Sequence, residues 1–397
     1  MSFNNAVMSP ARLRSIRSKL AGALGALIIA IMSAPHNSDA ANAAPQSDYF
    51  VYVGVYGKGI YGYRFHASGA KLDSLGLVGP VVNPSFLATD RDNKFLYAVS
   101  ELEGKTPGGV AGFAINRANG SLEPLNSVPS GGVAPCHLAV DATGKMLIVA
   151  NYMTGGVASF VIDKDGRLGN MASLMAAQGS SVNRERQEGP HAHEVVLSSD
   201  NHLAYVPDLG LDQIRIYQLD PANAKLTPHD PPSLKEEPGY GPRHLVFSRD
   251  GKYLYVVNEL KSFITVFSGN ESNGAFHPVQ KISTVPENFN GENGPAEILM
   301  DRAGKFLYAS NRGPGTIAVF AVDPGNGALR QVQIAETGAT FPRGVELDPT
   351  GQYLFVGDQK ANRFVLFRVD PNSGQITLTG EPIPVPSPVA FQFVPAQ

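Results

Sequence analysis

The 397-residue chain carries a formal net charge of −3, which gives no electrostatic reason to expect a nucleic-acid partner. Apolar residues at 43% and charged residues at 17% exclude a disordered chain. Cys136 is its single cysteine, so an internal disulfide is excluded and a Cys/His zinc site nearly so.

In chain order, the first feature is a leader. Arg12, Arg14, Arg17 and Lys19 form a basic start, and Leu20 to Ala34 is an uncharged apolar run. That run is short of the ~20 residues a membrane span needs. Ala41, Asn42 and Ala43 fit a small-residue cleavage site. The layout predicts a signal peptide over residues 1–43. A periplasmic or secreted protein of residues 44–397 follows, with no stable membrane insertion once the leader is removed.

From residue 49 onward one pattern recurs: a proline, an apolar strand, a turn often ending Gly-Lys, and a second apolar strand closing on Asn or Asp. Clear copies start at Pro135, Pro242, Pro295 and Pro342, and weaker ones at Pro84 and Pro190. A third strand such as Ile317 to Asp323 follows each, then a Gly/Pro turn and a weaker fourth strand. With Pro388 the anchoring prolines stand 46 to 55 residues apart. Four short strands in a repeat of that length make a propeller blade. Gly 42 and Pro 30 supply the many tight turns such a fold needs. No helix is expected after the leader.

The ends complement each other. Tyr49 to Phe65 has the second and third strands of a blade without the first, and Ser387 to Val394 is a first strand with nothing after it. The expected fold is therefore an all-β, seven-bladed propeller of four-stranded blades. Its C-terminal strand would join the N-terminal blade and remove an open edge.

Aligned on the Gly-Lys turn, the first strands place residues in layers along the central channel. The first layer holds Ser85, Cys136, His193, Arg243, Ala296, Arg343 and Val389, and the next Phe86, His137, Glu194, His244, Glu297, Gly344 and Ala390. Second strands close on Ser100, Asn151, Asp208, Asn258, Asn311 and Asp358, followed by Glu101, Tyr152, Leu209, Glu259, Arg312 and Gln359. The closing Asn/Asp layer repeats from blade to blade, as short side chains bonded to local backbone do. The other layers change identity, and His, Arg and acidic residues collect in blades three to six, at strand ends where loops carry sites. His137, His244, Glu297, Arg343, Asp208 and Asn311 are the candidates for substrate contact.

Three motifs stand out: Gly239 to Leu260 with Arg243 and Glu259 on adjacent strands, Gly189 to Val195 with His191 and His193, and Ala309 to Gly313 with Arg312. They offer a proton-transfer group, an acid and fixed cations. Lactone hydrolysis needs an activated water and a donor or cation for the oxyanion. Arginine's planar fork also suits a carboxylate or phosphate on a substrate.

Set in this blade spacing, the motifs GPRH…NE, PHxH and SNRG resemble the propeller lactonase family, over about residues 49 to 394. The family includes 6-phosphogluconolactonases of the propeller type and a fungal-type carboxy-muconate lactonising enzyme. The resemblance implies seven blades, no obligatory metal or other cofactor, and opening or closing of a small-molecule lactone. In the lactonising branch a histidine, two arginines and a glutamate form the site. These match His191 or His193, Arg243, Glu259 and Arg312, with His193 favoured by blade alignment. The leading expectation is a lactonase acting on a sugar-acid lactone. An exported chain meets no cytoplasmic pentose phosphate, so the lactone need not carry phosphate. A muconate-type cycloisomerase would use the same residues, and a non-enzymatic binding propeller would show aromatics at its rim. A calcium cage of Asn151, Asp208, Asn258 and Asp358 is the metal-dependent alternative. Oligomeric state is not legible.

Overall fold

The computed structural model describes residues 48–104 and 106–397; the expected signal peptide and its cleavage site lie outside them. The described residues form seven four-stranded antiparallel sheets arranged as a propeller, with no helix among them. Blade one is assembled from both ends, in the order Pro388–Pro395, Asp48–Val55, Lys58–His66 and Lys71–Val82. Blades two to seven occupy residues 87–129, 135–175, 196–235, 242–283, 295–336 and 342–384.

The expected closure is borne out residue by residue. Phe50 pairs with Val394, Tyr52 with Gln392 and Gly54 with Ala390. The tail thus supplies the inner strand that the N-terminal segment lacks.

Second strands are apolar without alternation because both their faces are covered by neighbouring sheets. Met146–Asn151, Leu203–Asp208 and Phe306–Asn311 are buried at every position. Fourth strands form the outer edge and are largely exposed or half-buried, as in Leu168–Met175. The core is accordingly split into seven apolar clusters, one between each pair of adjacent blades.

The hairpins joining first and second strands share one device. Asp141 Oδ1 accepts hydrogen bonds from the Lys145 and Met146 amides at 2.8 Å, and Asp301 and Asp348 act similarly. Gly144, Gly304 and Gly351 take the left-handed conformation that the turn requires, with φ of 69°, 70° and 71°. This is why the Gly-Lys signature recurs in the sequence.

Candidate active site

The first strands do not run straight into their hairpins. In blade five Pro242 pairs with Asn258 and His244 with Val257, so Arg243 is the extra residue of a bulge. The same shift occurs at Cys136 in blade three, after Pro295 in blade six and after Pro342 in blade seven. A bulge re-aims its side chain out of the alternating pattern. Blade four departs further: its inner strand shrinks to Val196–Leu197, and the preceding segment pairs with the second strand through an isolated Ala192–Asp208 bridge.

Glu259 follows the second strand of blade five and is the hub of the rim. Arg312 Nη2 lies 2.9 Å from its Oε2, Arg243 Nε lies 3.1 Å from the same oxygen without hydrogen-bond alignment, and Arg186 Nη2 donates to Oε1 at 2.7 Å. Burial alone would raise the Glu259 pKa. Arg312, Arg243 and Arg186 outweigh it and hold the carboxyl at about 2. Backbone carbonyls fix two of the guanidiniums: Arg243 donates to Ala296 O, and Arg312 Nε to Gly294 O at 2.6 Å.

A cavity of about 630 Å³ opens at this hub. Arg186, Glu259, Arg312, Asn293, Phe341 and Lys360 are among its walls. That size suits a small organic ligand, for which pockets run to roughly 300–1,000 Å³. The Lys360 ammonium stands 4.2 Å from the Phe341 ring centre, which directs a further positive charge to the same rim. Arg243 is 2% exposed and lies behind the carboxylate.

The expected convergence holds for Arg243, Glu259 and Arg312. The histidines sit beside this group, with Tyr152 between. His191 stacks on the Tyr152 ring at 4.6 Å and bonds Tyr152 O through Nδ1 at 2.9 Å, while its Nε2 is 3.2 Å from Glu188. His193 meets the same ring in an edge-to-face contact at 5.4 Å. Burial first, then Arg243 and His244, drives the His193 pKa well below its ordinary value, so its imidazole is neutral at pH 7.

The candidate substrate contacts scatter. Arg343 lies over the Tyr56 ring at 5.0 Å and 3.8 Å from Glu101. His137, His244 and Glu297 lie one layer further along the channel, and Glu194 joins them there. His244 Nδ1 is 2.7 Å from Glu297 Oε1 and 3.6 Å from Glu194 Oε1. Asp208 and Asn311 are fully buried and turned to their surroundings: Asp208 Oδ1 accepts from the amides of His191, Gly210 and Leu211, and Asn311 Nδ2 donates to Thr284 O. Asn151, Asn258 and Asp358 are committed to local partners in the same way.

Two participants were not singled out from the sequence. Tyr152 stands in the layer with Glu259, and its hydroxyl accepts from Arg186 at 3.2 Å. Arg186 itself belongs to the connection between blades three and four. The only sequence signal for it is that this repeat spacing is the largest.

The family model for the seven-bladed beta-propeller lactonases matches residues 50–393. The chain belongs to this family. The 6-phosphogluconolactonase of Bacillus subtilis (strain 168) is 33% identical over 350 residues, covering 87% of this chain and 98% of the relative. A 6-phosphogluconolactonase of Formosa agariphila is 32% identical over 291 residues, covering 72% and 81%. The structure of a periplasmic gluconolactonase from Pseudomonas aeruginosa superposes with a TM-score of 0.83 at 31% identity, covering 88% of this chain and all of the other. Membership places the arginine–glutamate rim in a family defined by lactone chemistry.

Proposed function

We propose that this lactonase-family propeller hydrolyses the lactone of a sugar acid at the Glu259 rim. The observation that carries the reading is the set of three guanidiniums on one buried carboxylate at the edge of a ligand-sized cavity. Water adds to the lactone carbonyl carbon, the ring C–O bond breaks, and the proton lost by water ends on the departing ring oxygen. Arg312 and Arg186, on the cavity wall, take up negative charge developing on the carbonyl oxygen. Glu259 holds those arginines in place and accepts a hydrogen bond from the attacking water. A carboxyl with a pKa of about 2 is a weak base, so its part is orientation as much as proton transfer. His193, neutral and adjacent, is the candidate to pass the proton on, with His191 supporting Tyr152.

The leader-like start of the chain and the periplasmic Pseudomonas neighbour support action outside the cytoplasm on a lactone without phosphate. The chemistry proposed uses protein groups alone. Purified protein should be offered glucono-1,5-lactone, its 6-phosphate and a muconolactone-type acid, with proton release followed in the presence and absence of EDTA. Faster turnover of the unphosphorylated sugar lactone, unchanged initial rates in EDTA, is the expected result. Preference for the phosphate ester would return the substrate to the phosphogluconolactone class. Reaction only with the muconolactone would support the cycloisomerase reading instead.

A further inference from the structure

The layer beyond the arginine rim has a chemistry of its own. Glu194, His244 and Glu297 come from the inner segments of three consecutive blades, and one donor atom of each lies within 4.8 Å of the others. Glu194 is more than nine-tenths buried, with a side-chain exposure of 8%. Its Oε2 accepts the Leu245 amide at 2.7 Å, which fixes the carboxylate plane. Its Oε1 faces His244 Nδ1 at 3.6 Å and His137 Nε2 at 3.8 Å, both too long for hydrogen bonds. Ligand atoms held ~2.0–2.1 Å from a tetrahedral zinc stand about 3.4 Å apart, close to the Glu194–His244 separation.

Positive charge reaches this layer at longer range, from Arg243 and Arg343. Among the described residues no arginine or lysine pairs with Glu194, Glu297 or the nearby Glu346. All three line a second cavity of about 340 Å³, distinct from the one at the Glu259 rim, and Arg249 lines the same cavity. His137 is oriented as a supporting donor: its Nδ1 accepts the Val195 amide at 3.3 Å, so the proton of a neutral ring sits on Nε2 and faces Glu194.

We propose that Glu194, His244 and Glu297 bind one divalent transition-metal ion in the channel. Imidazole nitrogen with two carboxylates suits zinc or manganese better than calcium. The ion enters between His244 and Glu297, whose 2.7 Å contact then opens. Water completes the shell. Because the three ligands belong to blades four, five and six, the ion ties those blades together at the axis. It takes no part in the lactone chemistry proposed for the Glu259 rim.

The test uses the purified protein, stripped with chelator and titrated with Zn²⁺, Mn²⁺, Ca²⁺ and Mg²⁺ by calorimetry. One Zn²⁺ or Mn²⁺ per chain is expected, with a melting temperature raised by several degrees. Glu194→Gln and Glu297→Gln should each weaken binding at least tenfold, while Glu259→Gln leaves it unchanged. A crystal of zinc-loaded wild type should show an anomalous peak between Glu194 and His244, a readout that needs no variant to fold. No binding, binding that is unaffected in folded Glu297→Gln, or a peak elsewhere would overturn the proposal. Tight binding of Ca²⁺ alone would overturn the choice of ligand class.

Discussion

Glu259 keeps its charge at the rim against its own burial, because Arg312, Arg243 and Arg186 together outweigh desolvation and hold its pKa at about 2. A carboxyl held below its ordinary value of 4.5 stabilises the fold above that pH, and the contribution is lost as pH falls through about 2. The stability gap between wild type and Glu259→Gln should therefore be widest above about pH 5 and close toward pH 2. A gap that stays constant in acid melts would show that the arginines do not set this charge. Glu236 has the opposite sign. Burial pushes it up to about 7, against hydrogen bonds from Thr265 and Asn258. The bound proton favours the fold fully below 4.5, and that benefit is lost as pH rises through about 7. Glu236→Gln should match wild type near about pH 5 and be more stable near about pH 8; equal stability at both would refute the assignment. Arg243→Lys keeps a charge behind Glu259 but cannot face that carboxylate and Ala296 O at once. A hydrolysis defect of at least about tenfold, some 1.4 kcal/mol, is expected, with the fold intact by circular dichroism.

Much of this residue-level picture was readable beforehand, for a definite reason. Arg243, Glu259 and Arg312 occupy fixed places in the repeat, so aligning blades put them on one rim. Arg186 occupies no repeat position, and a connecting loop carries no periodicity from which to place it. The histidines were found, but the intervening Tyr152 ring was not foreseen, because ring stacking depends on side-chain rotamers rather than strand register.

At the scale of elements, the blades are clasped by a repeated tyrosine. Tyr52, Tyr97, Tyr205, Tyr255 and Tyr308 are buried in second or equivalent strands. Each hydroxyl donates to a backbone carbonyl in the next blade, at 2.5 to 3.2 Å. Tyr255→Phe leaves Gly327 O without its donor and should cost about 1–3 kcal/mol. The urea midpoint should fall with no change in slope; an unchanged midpoint would show the clasp to be idle. Side-chain amides add a second clasp between outer strands. Gln280 both donates to Leu329 O and accepts from Leu329 N, and Asn126 and Gln333 do the same one blade interface away from their own sheets. Strand order and closure were legible because turns and complementary ends are written locally. These clasps were not, since they join residues far apart in sequence.

For the whole molecule, the ring makes one channel with two differently charged regions. Guanidiniums dominate at the Glu259 rim, and carboxylates with imidazole dominate a layer further in. The near-neutral total of −3 conceals that division, which is why composition pointed to no class of ligand. Closure through the tail makes the ring a single unit. Removing residues from Ser387 onward should expose the edge of Asp48–Val55 and yield an aggregating protein, whereas a soluble truncation with a native melt would contradict the closure. The account as a whole rests on lactone chemistry at the Glu259 rim. The most direct test is the initial rate of sugar-lactone hydrolysis by wild type, Arg243→Ala and Glu259→Gln, each confirmed folded. The account predicts turnover by wild type and a loss of at least about tenfold in both variants. Full activity in both would place the chemistry elsewhere in the molecule.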